Sequence, residues 1–118
     1  GSIISYNNII KEELLNVPND SLVNFGAVSE QVAESMAIGA KKKLEADWAI
    51  AITGIAGPNG GTKNKPVGLV HIAIATPDNQ IINFKKIFNS YRNRIEIQRL
   101  SVNECLNSLR LILLSINK

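Results

Sequence analysis

The stretch from Thr53 to Gly61, with the sequence TGIAGPNGG, is the part of the chain best suited to binding a ligand. Its four glycines and one proline exclude a regular helix or strand, because glycine admits unusual backbone angles and proline lacks an N–H. Glycine-rich turns between strand-like runs are common ligand sites in α/β domains. The spacing is neither GxGxxG nor a P-loop. The stretch therefore predicts either a binding loop of another kind or a purely structural turn.

The sequence does not indicate a catalytic or metal-binding role for the single cysteine or the single histidine. Cys105 falls among Val102, Leu106 and Leu109 in a helical pattern, which predicts a buried and unreactive thiol. A lone cysteine excludes an internal disulfide and is typical of the reducing cytoplasm, where we expect this protein. His71 lies in the middle of a predicted strand and has no cysteine or histidine partner. We therefore expect a structural role for it and no metal site.

Composition indicates one folded domain over residues 1–118 with a core of its own, since 45% of the residues are hydrophobic and 19% are charged. No apolar run reaches the ~20 residues of a membrane span. The net charge of +3 is scattered except for Lys41–Lys43, a run late in a predicted helix, where cations suit the helix dipole and face solvent. The six aromatic residues are not interleaved with basic ones, so no nucleic-acid partner is expected.

Apolar periodicity and turn residues predict seven elements in the order strand, helix, helix, strand, strand, strand, helix. These are residues 3–6, residues 9–16, a helix that starts after Ser29, residues 48–55, 67–75 and 80–88, and a helix from about residue 93; one further helical turn is predicted before Phe25. The apolar run 48–55 predicts a strand buried on both faces, and Gly39 predicts close approach of the second helix to the strands. The order describes a three-layer α/β/α sandwich with a mixed sheet. Three buried strands are few for such long helices, which suggests that one strand–helix unit is missing on the N-terminal side.

Four stretches together resemble the C-terminal domain of the CinA family, which includes PncC-type nicotinamide mononucleotide deamidases. They are residues 1–17, beginning GSIISYNNIIK; residues 26–33, GAVSEQVA; residues 53–68, with TGIAGPNGG and KPVG; and Asn93-Arg94 before the terminal helix. They run almost from end to end of the chain in the family's order. The resemblance favours a ligand-binding role for the glycine-rich stretch.

The resemblance implies an amidohydrolase that converts nicotinamide mononucleotide into nicotinic acid mononucleotide and ammonia without a cofactor. In that scheme the residue matching Lys11 is the general base for a nucleophilic serine, Thr53 supports this pair, and Tyr6 and Arg94 shape the site. Backbone N–H groups of the glycine-rich turn could stabilise an oxyanion, and an arginine suits a phosphate. The implied substrate-binding set includes four glycines: Gly54, Gly57, Gly60 and Gly61.

The chain departs from the family pattern in three places. The family's opening unit and the segment with its nucleophilic serine have no match here, and neither Ser2 nor Ser5 corresponds to that serine. Asn93 stands in place of an aspartate, and Gln98 stands where a second arginine is common. We therefore expect the chain to be inactive alone. The alternative is a non-catalytic nucleotide-binding or assembly module, and the unpaired apolar surface left by a missing unit predicts a homo-oligomer.

Overall fold

The computed structural model describes residues 1–116 as an α/β fold, which confirms the predicted fold class. Its elements in chain order are α1 Asn8–Leu15, α2 Asn19–Phe25, α3 Glu30–Lys43, β1 Ala49–Gly54, β2 Leu69–Ala75, β3 Ile81–Ile87 and α4 Arg94–Ile116. Helices α1 to α3 lie on one face of the sheet and α4 lies on the other, so the described chain has three layers.

The three strands form one antiparallel sheet in the order β1-β2-β3. The central strand β2 is buried almost throughout, whereas β1 and β3 are edges. Ala49 pairs with Ala75 and Thr53 with His71, so β1 and β2 are in register along their whole length. The mixed sheet expected from the sequence would need a parallel strand, and none forms among residues 1–116.

The predicted strand at residues 3–6 is wrong, because these residues do not pair with any other strand. Their side chains nevertheless alternate between half-buried and exposed positions. Ile3 and Ser5 are half-buried, whereas Ile4 and Tyr6 are 87% and 90% exposed. This alternation is typical of a strand. The segment therefore has the side-chain pattern of a strand without the hydrogen-bonded neighbour that would make it one.

One face of helix α3 consists of small and apolar side chains and packs on β1 and β2. The larger of the two cores lies between this helix and the sheet. Val32, Ala33 and Ala37 are completely buried there. Gly39 is required by close approach, since a Cβ at this position would lie 1.9 Å from the carbonyl oxygen of Leu15. The expected close approach of this helix to the strands is made by its alanines Ala33 and Ala37, whereas Gly39 meets the end of α1 instead of a strand.

Of the three lysines at the C-terminal end of α3, Lys41 is hydrogen-bonded to the protein and the other two are exposed. Lys41 Nζ donates to the carbonyl oxygen of Thr76 at 2.7 Å and to Oδ1 of Asn79 at 2.8 Å, in the turn between β2 and β3. Lys42 and Lys43 are exposed, as the sequence predicted. Lys41 therefore fastens the helix to the sheet.

The second core lies between the sheet and the first half of α4. Val70 and Ile72 of β2 contact Ile97 and Cys105 there. This layer covers β1 only in part: Ile50 packs against it and is half-buried, whereas Ile52 is 37% exposed. The prediction that residues 48–55 are buried on both faces is therefore wrong, because among the described residues β1 is an edge strand that α4 covers incompletely.

Candidate functional site

A cleft of about 1070 Å³ runs along the free edge of β1, and we call it the β1 cleft. Residues 1–6 lie on one of its sides and β1 on another, and the first half of α4 and the start of the loop 55–68 complete its walls. The loop 55–68, which joins β1 to β2, is called the glycine loop below. Its volume is about twice that of a second cleft, of about 530 Å³, beside Lys41 and Asn79.

Lys11 lies on α1, and its side chain lines this cleft. The helix starts where the Asn7 side chain accepts a hydrogen bond from the Ile9 N–H at 2.8 Å, and it ends at Asn16 in the left-handed conformation. Lys11 is only 6% exposed, and its Nζ donates to the carbonyl oxygen of Ser5. That contact joins α1 to the N-terminal segment.

The chemistry of Lys11 follows from its burial. Desolvation lowers the pKa of its amine below the ordinary value, because a buried ammonium loses its hydration. No carboxylate of residues 1–116 forms an ion pair with it to offset this loss. A lysine of this kind releases its proton more readily than an exposed one, and the neutral amine can act as a general base.

Thr53 lies beside the cleft on β1 and is 8% exposed. Its hydroxyl donates to the carbonyl oxygen of Ala27 at 2.7 Å. Two residues later, the Ser29 hydroxyl caps α3 by accepting from the Val32 N–H at 3.2 Å, and it also donates to Gly26. Thr53 therefore fixes the segment before α3 against the sheet edge, and this contact helps to shape the wall of the cleft.

The glycine loop has a fixed conformation at its cleft end. Gly57 has φ of +79° and precedes a cis peptide bond to Pro58, and the positive φ favours glycine. Arg94, the first residue of α4, donates from Nη1 to the Gly57 carbonyl oxygen at 3.1 Å. This bond uses one of the five guanidinium donors, so the others remain available in the cleft.

The base of the loop and its second half are held by other bonds. The Ile55 N–H donates to the Leu69 carbonyl oxygen at 2.9 Å, and Lys65 Nζ donates to the carbonyl oxygen of Phe25. Gly61 does not line the cleft, and a Cβ there would lie 2.8 Å from the Val67 nitrogen. A packing requirement therefore accounts for this glycine.

Asn93, which stands in place of the family's aspartate, still caps the N-terminus of α4. Asn93 Oδ1 accepts from the Glu96 N–H at 2.9 Å, which is the usual N-cap contact. Arg92 is on the surface and pairs with Glu96 at 3.2 Å, so Arg94 is the arginine of this region that lines the cleft.

The fold brings most of the predicted site residues to one place, leaves Tyr6 at its border and places Gly61 outside it. The β1 cleft is lined by Lys11, Thr53, Arg94, Gly54, Gly57 and Gly60. Tyr6 also borders it, but with 90% of its surface exposed it does not pack against the other site residues. Gly61 lies outside it. Asn59 and Gln98 line the cleft and were not selected from the sequence, although Gln98 is four residues after Arg94 on the same helix face.

Within residues 1–116, no group of three or more histidine, cysteine, aspartate or glutamate side chains is placed to hold a metal ion. In the same part of the chain, no helix is long and apolar enough to cross a bilayer. Cys105 is buried, as predicted, and burial raises the pKa of its thiol from 9.0 to about 12.

Comparison with known proteins gives a consistent family. The CinA C-terminal domain profile matches residues 1–113. The chain is 68% identical to a CinA-like protein of Prochlorococcus marinus subsp. pastoris over all 118 residues, which are 27% of that protein. It is 50% identical to a CinA-like protein of Trichormus variabilis over 115 residues, 98% of this chain and 28% of that protein. The chain thus spans little more than a quarter of the curated relatives that it matches.

Solved structures agree with the sequence matches. A competence/damage inducible protein from Agrobacterium tumefaciens superposes with a TM-score of 0.86 at 38% identity, covering 97% of this chain and 66% of that one. A CinA superfamily protein from Escherichia coli superposes with a TM-score of 0.85 at 33% identity, covering 92% of this chain and 61% of that one. The fold is therefore shared, and between a third and two fifths of each of these neighbours has no counterpart here.

Proposed function

The chain belongs to the CinA family through its C-terminal domain, and on this basis we propose that it forms part of an amidohydrolase acting on nicotinamide mononucleotide. The products would be nicotinic acid mononucleotide and ammonia. The observation that carries this proposal is Lys11, whose amine is buried at the cleft, has a lowered pKa and has no ion-pair partner among the described residues. A lysine without a role in the cleft would ordinarily be exposed to solvent, not buried without an ion-pair partner.

The proposed reaction needs a serine hydroxyl next to the Lys11 amine, and no serine hydroxyl of residues 1–116 is hydrogen-bonded to it. The serine hydroxyl would attack the carboxamide carbon while the neutral Lys11 amine accepts its proton. Lys11 would then return that proton to the leaving nitrogen, so that ammonia departs and an acyl-enzyme remains. Water, deprotonated by the same amine, would hydrolyse the acyl-enzyme and regenerate the serine with release of the carboxylate product.

The walls of the cleft suit the remaining tasks. Backbone N–H groups of the glycine loop, held by the bond from Arg94 to Gly57, would stabilise the oxyanion that forms during attack. The free donors of Arg94 would bind the phosphate of the mononucleotide. Tyr6, exposed at the edge of the cleft, would close over the substrate when bound.

A non-catalytic role in nucleotide binding or assembly is the second candidate. It is favoured by the contacts of Lys11, which reach the main chain of Ser5 and no serine hydroxyl among residues 1–116. Under this alternative the cleft binds a nucleotide and does not hydrolyse it.

Ammonia release from nicotinamide mononucleotide distinguishes the two candidates. We expect no release by the 118-residue chain alone, and release when the same residues are part of a complete CinA domain. In that complete domain, Lys11→Met should lower the rate by about 10²–10⁴-fold because the general base is lost. Lys43→Met, at an exposed lysine of α3, is the matched control and should leave the rate unchanged.

Two results would contradict the enzyme proposal. One is a complete domain that binds the mononucleotide in calorimetry and releases no ammonia, which would favour the binding module. The other is full activity of the Lys11→Met domain, which would remove this lysine from the mechanism.

A further inference from the structure

Three consecutive carbonyl oxygens at the end of α2 each accept a hydrogen bond from a different side chain. They belong to residues 25–29, which join α2 to α3 and which we call the α2–α3 link. The bonds run from Lys65 Nζ to Phe25, from the Ser29 hydroxyl to Gly26 at 2.9 Å and from the Thr53 hydroxyl to Ala27 at 2.7 Å. Of the three donors, Lys65 is the one that comes from the glycine loop.

The α2–α3 link and the glycine loop are both walls of the β1 cleft. Ala27 and Val28 of the link line the cleft, as do Gly57 and Gly60 of the loop. Lys65 itself does not line it. The bond from Lys65 therefore joins two walls of the cleft at a point outside the space that a ligand would fill.

The main chain of Lys65 is held in a closed turn. Its carbonyl oxygen accepts from the Thr62 N–H at 2.8 Å, and its own N–H donates to the Thr62 hydroxyl oxygen at 3.0 Å. Pro66 follows with a fixed φ. Because the base of the side chain is ordered in this way, a bond at its ammonium end fixes the position of the whole turn.

The ammonium group of Lys65 suits its acceptor. Phe25 is the last residue of α2, and carbonyl groups at a helix C-terminus lack an intrahelical donor and carry partial negative charge. A charged donor forms a stronger hydrogen bond there than a neutral one. A Cβ at Gly26 would lie 3.0 Å from Lys65 Nζ, so the absence of a side chain at this position leaves room for the ammonium.

We propose that Lys65 is a positioning residue of the β1 cleft, because its bond to Phe25 sets the distance between the glycine loop and the α2–α3 link. Without this bond, Arg94 would still hold the loop at Gly57, but the turn that contains residue 65 and the link would move independently. A ligand would then have to order both walls when it binds. The inference rests on the proposed function only in that the cleft binds the mononucleotide, and it does not require hydrolysis.

The test measures binding by a complete CinA domain. The probe is nicotinic acid mononucleotide, the product of the proposed reaction, which is not consumed during a titration. Lys65→Met keeps an aliphatic side chain and removes the ammonium. In calorimetry it should raise Kd about tenfold, which is comparable with the cost of ordering one more main-chain residue on binding.

Two further variants make this measurement specific. Lys65→Arg retains a charged donor and should bring Kd back to within about threefold of the parent value. Lys63→Met is the matched control, because Lys63 lies in the same loop and is exposed, whereas Lys65 is half-buried. This control should leave Kd within about twofold of the parent value.

Amide hydrogen exchange in the ligand-free domain tests the coupling of the two walls directly. The Gly26 N–H closes the end of α2, and the Thr62 N–H closes the turn that ends at Lys65. Both amides should exchange faster in Lys65→Met and at the parent rate in Lys63→Met. The Ala33 N–H, which is bonded within the first turn of α3, should be unchanged and serves as the internal control.

Three results would overturn the proposal. The first is a Lys65→Met domain with a lower urea midpoint and an unchanged Kd, which would give Lys65 a purely structural role. The second is weaker binding with unchanged exchange rates, which would indicate direct contact with the phosphate. The third is faster exchange of the Thr62 amide alone, which would show that the walls are not coupled.

Failure of the function proposed above would look different. The parent domain would then bind no mononucleotide, or would bind it and release no ammonia. In either case the exchange rates of the Gly26 and Thr62 amides would still decide whether Lys65 couples the two walls.

Discussion

Replacing Gly39 by alanine should destabilise the fold, although alanine is the better helix former. In an isolated helix the change would gain about 0.5–1 kcal/mol. Here the new Cβ would lie 1.9 Å from the Leu15 carbonyl oxygen, where ordinary contact begins near 3.4 Å. The end of α1 would therefore have to move by about 1.5 Å, the difference between these distances.

The energetic balance follows from which atom is displaced. Overpacking of a core costs about 1–3 kcal/mol, and the upper end applies because the obstacle is backbone and Leu15 itself is 2% exposed in the core. After subtracting the propensity gain, we expect the free energy of unfolding to fall by about 2 kcal/mol. Since α1 also carries Lys11, the same displacement would disturb the candidate site.

Urea unfolding followed by the emission of Trp48 measures this change. With an m-value of about 2 kcal/mol/M, the midpoint should fall by about 1 M. Ile38→Ala, at the neighbouring position with 53% exposure, is the control and should stay within about 0.5 kcal/mol of the parent. A Gly39→Ala chain as stable as the parent would refute the reasoning that the α1–α3 contact leaves no room for a side chain.

Three further changes test other contacts. Thr53→Val should cost about 1–3 kcal/mol in urea unfolding, because the Ala27 carbonyl loses its donor, whereas Thr53→Ser should keep the bond and lose only about 1 kcal/mol; equal losses would argue against the hydrogen bond. Cys105, with its pKa raised to about 12 by burial, should react with an aromatic disulfide at pH 8 only after unfolding, and rapid reaction of the native chain would contradict its burial. Burial, and then the charge of Lys85, lower the pKa of His71 from its ordinary 6.5, so the unfolded chain binds the proton first. The free energy of unfolding should therefore decrease as the pH falls below about 6.5, until the pH passes the lowered pKa of His71 in the folded state. Unfolding curves at pH 7.5 and 5 should show a smaller pH dependence for His71→Gln than for the parent. An identical dependence in both proteins would exclude His71 as its source.

The local signals in the sequence predicted the elements well wherever the necessary partners lie in the same segment. Ser29 caps α3 where the sequence predicted a helix start, Asn7 caps α1, and β2 and β3 run antiparallel across the short turn after residue 75. These features depend on contacts between residues only a few positions apart. Pattern and capping chemistry are therefore enough to predict them.

Predictions that depended on distant partners were less successful. Residues 3–6 have the composition and alternation of a strand, but a strand forms only beside another strand, and none lies next to them among residues 1–116. The apolar run of β1 was expected to be buried on both faces for the same local reason. Local pattern shows that a face is apolar, but it does not show which element, if any, covers it.

The sequence by itself determined the family, the α/β class and six of the residues that line the cleft, because these follow from motif identity and order. Only the tertiary structure decided how those residues are held. Lys11 is buried against the main chain of Ser5, Thr53 is bonded to Ala27, and Arg94 is bonded to the Gly57 carbonyl. Each of these bonds joins segments that are distant in sequence or turned toward each other by a helix start. Their geometry depends on the packing of α1, α3 and α4 around the sheet, and no local sequence pattern encodes that packing.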